Sequence, residues 1–171
     1  MLDKATGFTK AQRQWFLSAD NNQCQFHYIG SDGRWHRCKN TTRLQVHHIV
    51  PRGWASMHYP KDFPLNGPNQ GITLCEFCHV GNPDSVHPDT LDAQEAYRNG
   101  DKDAFKKMMD KRYELNRQGI PYWNTKYDLM FVRIVQKRNV AYLRNHAYPD
   151  KGKYGKTGRT KDVVLVGSDS R

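Results

Sequence analysis

At 171 residues, with 37% hydrophobic side chains and a mean hydropathy of −0.91, the chain is long enough for one domain, or a small domain with an arm, but too poor in apolar residues for one large greasy core. Its apolar runs, such as Leu129-Met130-Phe131-Val132, fall far short of the roughly 20 residues a bilayer span needs. Met1-Leu2-Asp3-Lys4 lacks the apolar region of an export signal, so a soluble, cytoplasmic protein with no membrane partner is expected. The formal charge of +10 is uneven: residues 1–89 hold 9 basic and 7 acidic side chains, residues 90–171 hold 18 and 10. A basic second half points to a polyanionic partner, because each phosphate neutralised by Lys or Arg releases a condensed counterion.

In chain order, Thr9 to Ser18 reads as a short helix capped by Thr9. Cys24 to Ile29 reads as a strand, Gly30 to Gly33 as a turn, and Arg34 to Cys38 as the returning strand. A hairpin centred near Ser31 sets Cys24 opposite Cys38, at the roughly 5 Å of cross-strand neighbours. A strand from Leu44 to Val50 ends at Pro51. Residues 52–68, rich in Gly, Pro and Asn, read as a long loop, and Gly71 to Leu74 as a short strand leading into a helix start at Cys75 to His79.

Past Pro88 the composition changes, so the chain divides into a unit at 1–89 and a helical, basic extension at 90–171. Thr90 to Arg98 reads as a helix with Gly100 just beyond it, and Asp101 to Gln118 as a longer one, capped by Asp101 and stopped by Gly119; both look structural. A third helix is expected from Thr125 to His146. On its wheel Lys126, Arg133, Lys137 and Arg144 share one stripe about 40° wide, while Tyr127, Phe131, Ile134, Val135 and Tyr142 form an apolar face. Such a helix suits tracking of a DNA backbone, although a solvated face has the same pattern. Lys151, Lys153 and Lys156, spaced by glycines in the tail, read as a flexible phosphate-binding extension.

Four cysteines and most of the eight histidines lie in the first half. Cys75-x2-Cys78 has the bite of half a tetrahedral zinc site, and Cys24 with Cys38 supplies the other half; buried thiols or a redox pair are the alternatives. Such an ion would hold a core-poor unit together and do no chemistry. His47-His48 is different. Adjacent residues on a strand point to opposite faces, so the two imidazoles serve different purposes. His79 opens a helix directly after the cysteine pair. Two histidines on a divalent cation, plus one free to take a proton near neutral pH, make a hydrolytic centre.

Leu44-Gln-Val-His-His-Ile-Val-Pro51, then a loop, then Gly71-Ile-Thr-Leu-Cys-Glu-Phe-Cys-His79, resembles the HNH endonuclease family. The resemblance covers residues 20–89, about two-fifths of the chain. It implies an α+β fold in which two strands and a helix surround one catalytic metal (the ββα-metal core), beside a zinc-stapled hairpin. It also implies that His47 and His79 bind the catalytic ion and that His48 activates the attacking water, leaving a 5′-phosphate product. The family's middle Asn, an amide that braces the base, usually sits nine residues before the final ligand. That place is Gln70 here, with Asn69 beside it and Asn66 as a third candidate. Val86-His87-Pro88-Asp89 matches a stretch of some relatives after an insertion at Gly81 to Ser85; His87 is a third ligand, a phosphate contact or a plain surface histidine.

The expectation from the resemblance is a metal-dependent HNH endonuclease acting on double-stranded DNA, of the homing type by analogy with small stand-alone members. Mg²⁺ is the expected cellular ion, with Mn²⁺, Ni²⁺ and Zn²⁺ also accepted by imidazole ligands, beside a structural Zn²⁺. Arg52, just after the histidine strand, is a candidate phosphate contact. The rival is a zinc-ribbon nucleic-acid-binding protein without catalysis, for which His48 is dispensable.

Overall fold

The computed structural model describes residues 7–138 and 140–149. It is a mixed α+β arrangement with small antiparallel sheets, in the order α1 (Lys10–Ala19), β1 (His27–Ile29), β2 (Trp35–Arg37), β3 (Leu44–His48), α2 (Arg52–His58), β4 (Gly71–Cys75), α3 (Glu76–His79), α4 (Thr90–Arg98), α5 (Lys102–Arg117), a 3₁₀ turn (Thr125–Tyr127), α6 (Asp128–Gln136) and α7 (Val140–Asn145). None of the described helices is long and apolar enough to cross a membrane.

Helix α1 starts where its capping chemistry says it should. Thr9 Oγ1 accepts from Gln12 N, and Gln12 Oε1 accepts from Thr9 N, so two otherwise orphaned donors are satisfied reciprocally. Asp101 caps α5 by accepting from Ala104 N at 2.9 Å. Strands β3 and β4 pair antiparallel, with Leu44 opposite Cys75, His47 opposite Ile72 and His48 opposite Gly71. Strand β4 lies in the interior: Ile72 and Leu74 join the cluster that holds Phe26, Phe131 and Val135, and Gly71 abuts the Phe16 ring of α1. A Cβ at Gly71 would meet that ring at 2.6 Å, so only glycine allows this approach. Core residues come from both sides of position 89: Cys24, Cys75 and Cys78 pack in one cluster with Trp123, Phe131 and Val135. A second cluster joins Phe8, Trp15, Phe16 and Ala19 to Tyr148. Each fully buried aromatic in them contributes about 1.5–3 kcal/mol.

One polar connection runs through this interior. Asp20, at the end of α1, and Arg138, just after α6, are almost wholly buried and paired at 2.9 Å. Asp20 Oδ2 also accepts from Thr73 N of β4, and Arg138 donates to the carbonyls of Pro68 and Gly71. The pair therefore ties α1, β4, the loop before β4 and the end of α6 into one network, which the sequence reading missed.

Four local expectations are corrected. The hairpin register is Ile29 opposite Trp35 and His27 opposite Arg37, so it centres on Asp32 rather than Ser31. Cys38 N therefore bonds to Phe26 O and Cys24 N to Asn40 O, so the two cysteines are offset along the hairpin. The cause is the turn, in which Gly33 takes a positive φ of 72° and the Gly30 amide bonds to Arg34 O. Residues 52–58 form α2 rather than loop. A seven-residue helix containing glycine is marginal alone, and docking holds it: Trp54 packs edge-on against Trp123, and His58 Nε2 donates to Asn116 O of α5 at 2.7 Å. Strand β3 ends at His48, short of Val50, although Ile49 N still bonds to Gln70 O. The helix expected from Thr125 to His146 is a 3₁₀ turn, α6 and α7, because Arg138 turns inward to Asp20 where a continuous helix would run on. Lys126, Arg133, Lys137 and Arg144 are all exposed, but Arg144 stands on a different helix from Arg133. Lys151, Lys153 and Lys156 lie outside the described residues.

Candidate metal centre

Two groups of metal-ligating side chains assemble around the β4–α3 corner. In the first, one sulfur from each of Cys24, Cys38, Cys75 and Cys78 lies within 4.8 Å of all the others. All four are free thiols, and the Cys38–Cys75 sulfur separation is 3.9 Å. A tetrahedral ion with metal–sulfur bonds of about 2.3 Å sets its ligands about 3.8 Å apart, so the spacing suits a zinc ion and not a disulfide. The ionisation pattern agrees. Cys24 is pushed down to about 6, chiefly by the hydrogen bond from the Cys78 thiol, while that same bond and burial push Cys78 far up. Burial raises Cys38 to about 11. Ionising all four would take a cation among them, because crowded thiolates repel one another. The donor set, four sulfurs and no open position, is that of a structural ion.

The second group is His47, His79 and His87, with one nitrogen of each within 4.8 Å of the others and ring centroids 5.1–5.2 Å apart. Each comes from a different element. His47 is on β3 and His79 closes α3. His87 follows a loop that leaves the chain at Val80 and returns so that Val86 N bonds to Cys78 O and His87 N to His79 O. Its neighbour Asp89 accepts two hydrogen bonds from Arg112 of α5, at 2.8 and 2.9 Å. Arg112 also lies over the Tyr122 ring, which stacks on His87. Helix α5 thus pins the segment that delivers His87.

The atoms fit a cation. His79 Nδ1 donates to Gln45 Oε1 at 2.6 Å, which fixes the tautomer and leaves Nε2 with its lone pair. His47 Nδ1 and His87 Nε2 face each other at 3.4 Å, about the separation of two ligands on a tetrahedral ion with bonds of about 2.1 Å. His47 Nε2 and His87 Nδ1 are buried and have no hydrogen-bond partner among the described residues. Burial holds all three neutral: His79 is lowered to about 4 and His87 to about 3, and His47 lies well below the usual imidazole range, its neighbours adding to the effect. Neutral imidazole is the ligating form.

His48 points the other way from β3. Its ring stacks on Phe8 at 3.9 Å and 7°, and its Nε2 lies 2.9 Å from Asn66 Oδ1. With a carbonyl oxygen facing it, Nε2 carries the proton and Nδ1 keeps the lone pair. Burial lowers His48 to about 4; the Arg52 charge adds to this and the Asn66 bond opposes it. The amide that touches His48 is thus Asn66, not Asn69 or Gln70. Asn69 is exposed, and Gln70 Oε1 is buried without a partner among the described residues. The reason is the turn before β4: Gly67 N bonds to Pro64 O and Gln70 N to Gly67 O, which folds Asn66 back over β3, while Gln70 extends the β3–β4 ladder through its carbonyl. Tyr148 donates its hydroxyl to Asn66 O and so holds that residue from the far end of the chain. Nothing local in the sequence marks Phe8, Gln45 or Tyr148 as part of this arrangement. Arg52 is exposed at the start of α2.

No protein-family model, curated protein or solved structure matches this chain.

Proposed function

We propose that the chain is a metal-dependent nuclease of the HNH type that hydrolyses phosphodiester bonds of double-stranded DNA. The observation that carries this reading is the division of β3: His47 faces two further neutral histidines, and its neighbour His48 faces away with one nitrogen tied to Asn66. With Nε2 tied to Asn66, His48 keeps the lone pair on Nδ1, on the strand whose preceding residue joins the three-nitrogen cluster.

In this reading His47, His79 and His87 would hold a divalent ion, which when bound supplies the positive charge that offsets the charge developing on the phosphate. Three imidazoles and no carboxylate, among the described residues, favour Zn²⁺, Mn²⁺ or Ni²⁺ over Mg²⁺, which prefers oxygen ligands. His48 is neutral at pH 7, and its Nδ1 takes the proton from an attacking water. Asn66 accepts from Nε2–H and so selects the tautomer, and the Phe8 ring fixes the plane of the imidazole. Arg52, Lys126, Arg133, Lys137 and Arg144, all exposed, would meet phosphates without reading sequence.

The test is cleavage of supercoiled plasmid by the full chain in Mn²⁺, Zn²⁺, Ni²⁺ or Mg²⁺, with His48→Ala alongside and both checked for folding and metal content. We expect nicking or linearisation by the wild type, lowered about 10²–10⁴-fold by His48→Ala at unchanged metal content. Equal cleavage by both removes His48 as the base. DNA binding without cleavage by either favours the zinc-ribbon binding protein.

A further inference from the structure

A cleft of about 730 Å³ opens between the β1–β2 hairpin and α6, apart from both metal-ligating groups. On the hairpin wall stand Arg37 and Trp35, a residue 66% exposed. On the opposite wall stand Arg133 and Lys137 at α6 and Lys126 of the 3₁₀ turn before it, and Ile134 also lines the cleft. Phe131 and Val135 point from the other side of α6 into the core, where Phe131 packs edge-on against His47. The cleft and the three-histidine group thus lie on different faces of α6.

Its charge is not neutralised from within. The acid on the lining, Asp20, is already engaged by Arg138 and Thr73 N. Among the described residues Arg133 and Lys137 have no acidic partner, and Lys126 has only Asp84 at 3.9 Å. Arg37 is oriented by the neutral Gln23 Oε1. The tail from 150 to 171, with six basic and three acidic residues, is electrostatically a poor occupant.

An exposed indole among unneutralised cations is the pairing that holds a single-stranded nucleic acid, in which bases stack on aromatic faces while phosphates meet Lys and Arg. Along its length a duplex shows only base edges in its grooves and offers a base face only at its ends. A cleft of this volume suits a group of nucleotide size. We propose that it seats one or two nucleotides of single-stranded DNA, a base on Trp35 and phosphates against Arg37, Arg133 and Lys137. This rests on the nucleic-acid reading above but not on catalysis.

The experiment is anisotropy titration of a fluorescein-labelled oligothymidine 12-mer and of a blunt 12-base-pair duplex at one fixed salt concentration. The proteins are the metal-loaded full chain carrying His48→Ala, alone and with Trp35→Ala or Arg133→Glu/Lys137→Glu. Trp35→Ala is expected to weaken the single strand about tenfold, to weaken the duplex much less, and to remove most of the tryptophan quenching that oligothymidine causes. The charge reversal is expected to weaken the single strand by more than tenfold. The proposal is overturned if either variant binds the 12-mer within twofold of its parent, or if Trp35→Ala weakens duplex and single strand alike. Failure of wild-type plasmid cleavage with these results intact would sink the nuclease reading alone; cleavage with these results absent would sink the cleft alone.

Discussion

The four-cysteine group and the three-histidine group share one corner of the fold, and on the reading proposed above their differences would separate holding from reacting. Cys75 ends β4, and Cys78 and His79 are consecutive in α3, so a single turn of helix feeds both. The cysteine group closes with four soft ligands drawn from the hairpin and that turn. The histidine group has three nitrogens, each steadied from outside: His79 by Gln45, His87 by the Arg112–Asp89 pair, and His47 by its strand. Three protein ligands leave a position open for a water or a phosphate oxygen, and four do not.

The largest expected effect breaks this comparison from the cysteine side. Cys78→Ser would remove a ligand of the zinc ion this group could hold; such an ion, by analogy with zinc-finger peptides, would supply on the order of 10 kcal/mol, as much as the whole stability of a typical domain. Calorimetry should show no cooperative melting transition for this variant. His87→Ala should melt cooperatively and, by metal analysis, keep one bound ion where the parent has two. If His87→Ala unfolds as completely as Cys78→Ser, the two groups are not functionally distinct.

Next in size is the buried Asp20–Arg138 pair. Asp20→Asn leaves the guanidinium buried without its counter-charge, and chemical denaturation should show a loss of about 3–5 kcal/mol. Because Arg138 also bonds to the Pro68 and Gly71 carbonyls that flank the Asn66 turn and β4, the proposed plasmid cleavage should slow along with this loss.

A smaller effect sharpens the reading of the histidine side. Asn66→Ala frees the His48 ring and should lower plasmid cleavage about tenfold with metal content unchanged, whereas Asn69→Ala should cut like its parent. The reverse order would mean that the amide contact at His48 is incidental.

The smallest is a pH dependence at a carboxyl that belongs to neither group. Burial raises the Asp128 carboxyl to about 6, against the donation from Trp123 Nε1. Its folded value therefore lies above the ordinary carboxylate value of about 4. Between about pH 4 and 6 the folded state keeps a proton that the unfolded chain has released, so stability falls as pH rises through that window. Asp128→Asn should flatten this slope, by about 1 kcal/mol for a half-buried group, in melting curves taken across it.

What was legible in the sequence follows from range. Thr9 and Asp101 cap the helices their hydrogen-bonding chemistry implies, because a cap involves residues three apart. Helix α4 runs over Thr90–Arg98 as its pattern says. The opposite facing of His47 and His48 is a property of any extended strand. The four cysteines meet as their spacing suggested, even though the hairpin register differs by enough to offset Cys24 from Cys38.

Contacts between distant segments were decided by packing alone. His87 joins His47 across 40 positions because backbone bonds to Cys78 and His79 and the grip of Arg112 return it there. Asn66 rather than Gln70 meets His48 because a turn at Pro64 reverses the chain and Gln70 is spent on the ladder. Helix α2 exists by docking on α5, and the last helix breaks because a buried carboxylate 118 positions away draws Arg138 inward. Capping and alternation are written in neighbouring residues. Which imidazole, amide or guanidinium faces which partner depends on how the elements stack, since the free energy that selects those pairs is that of burying them together.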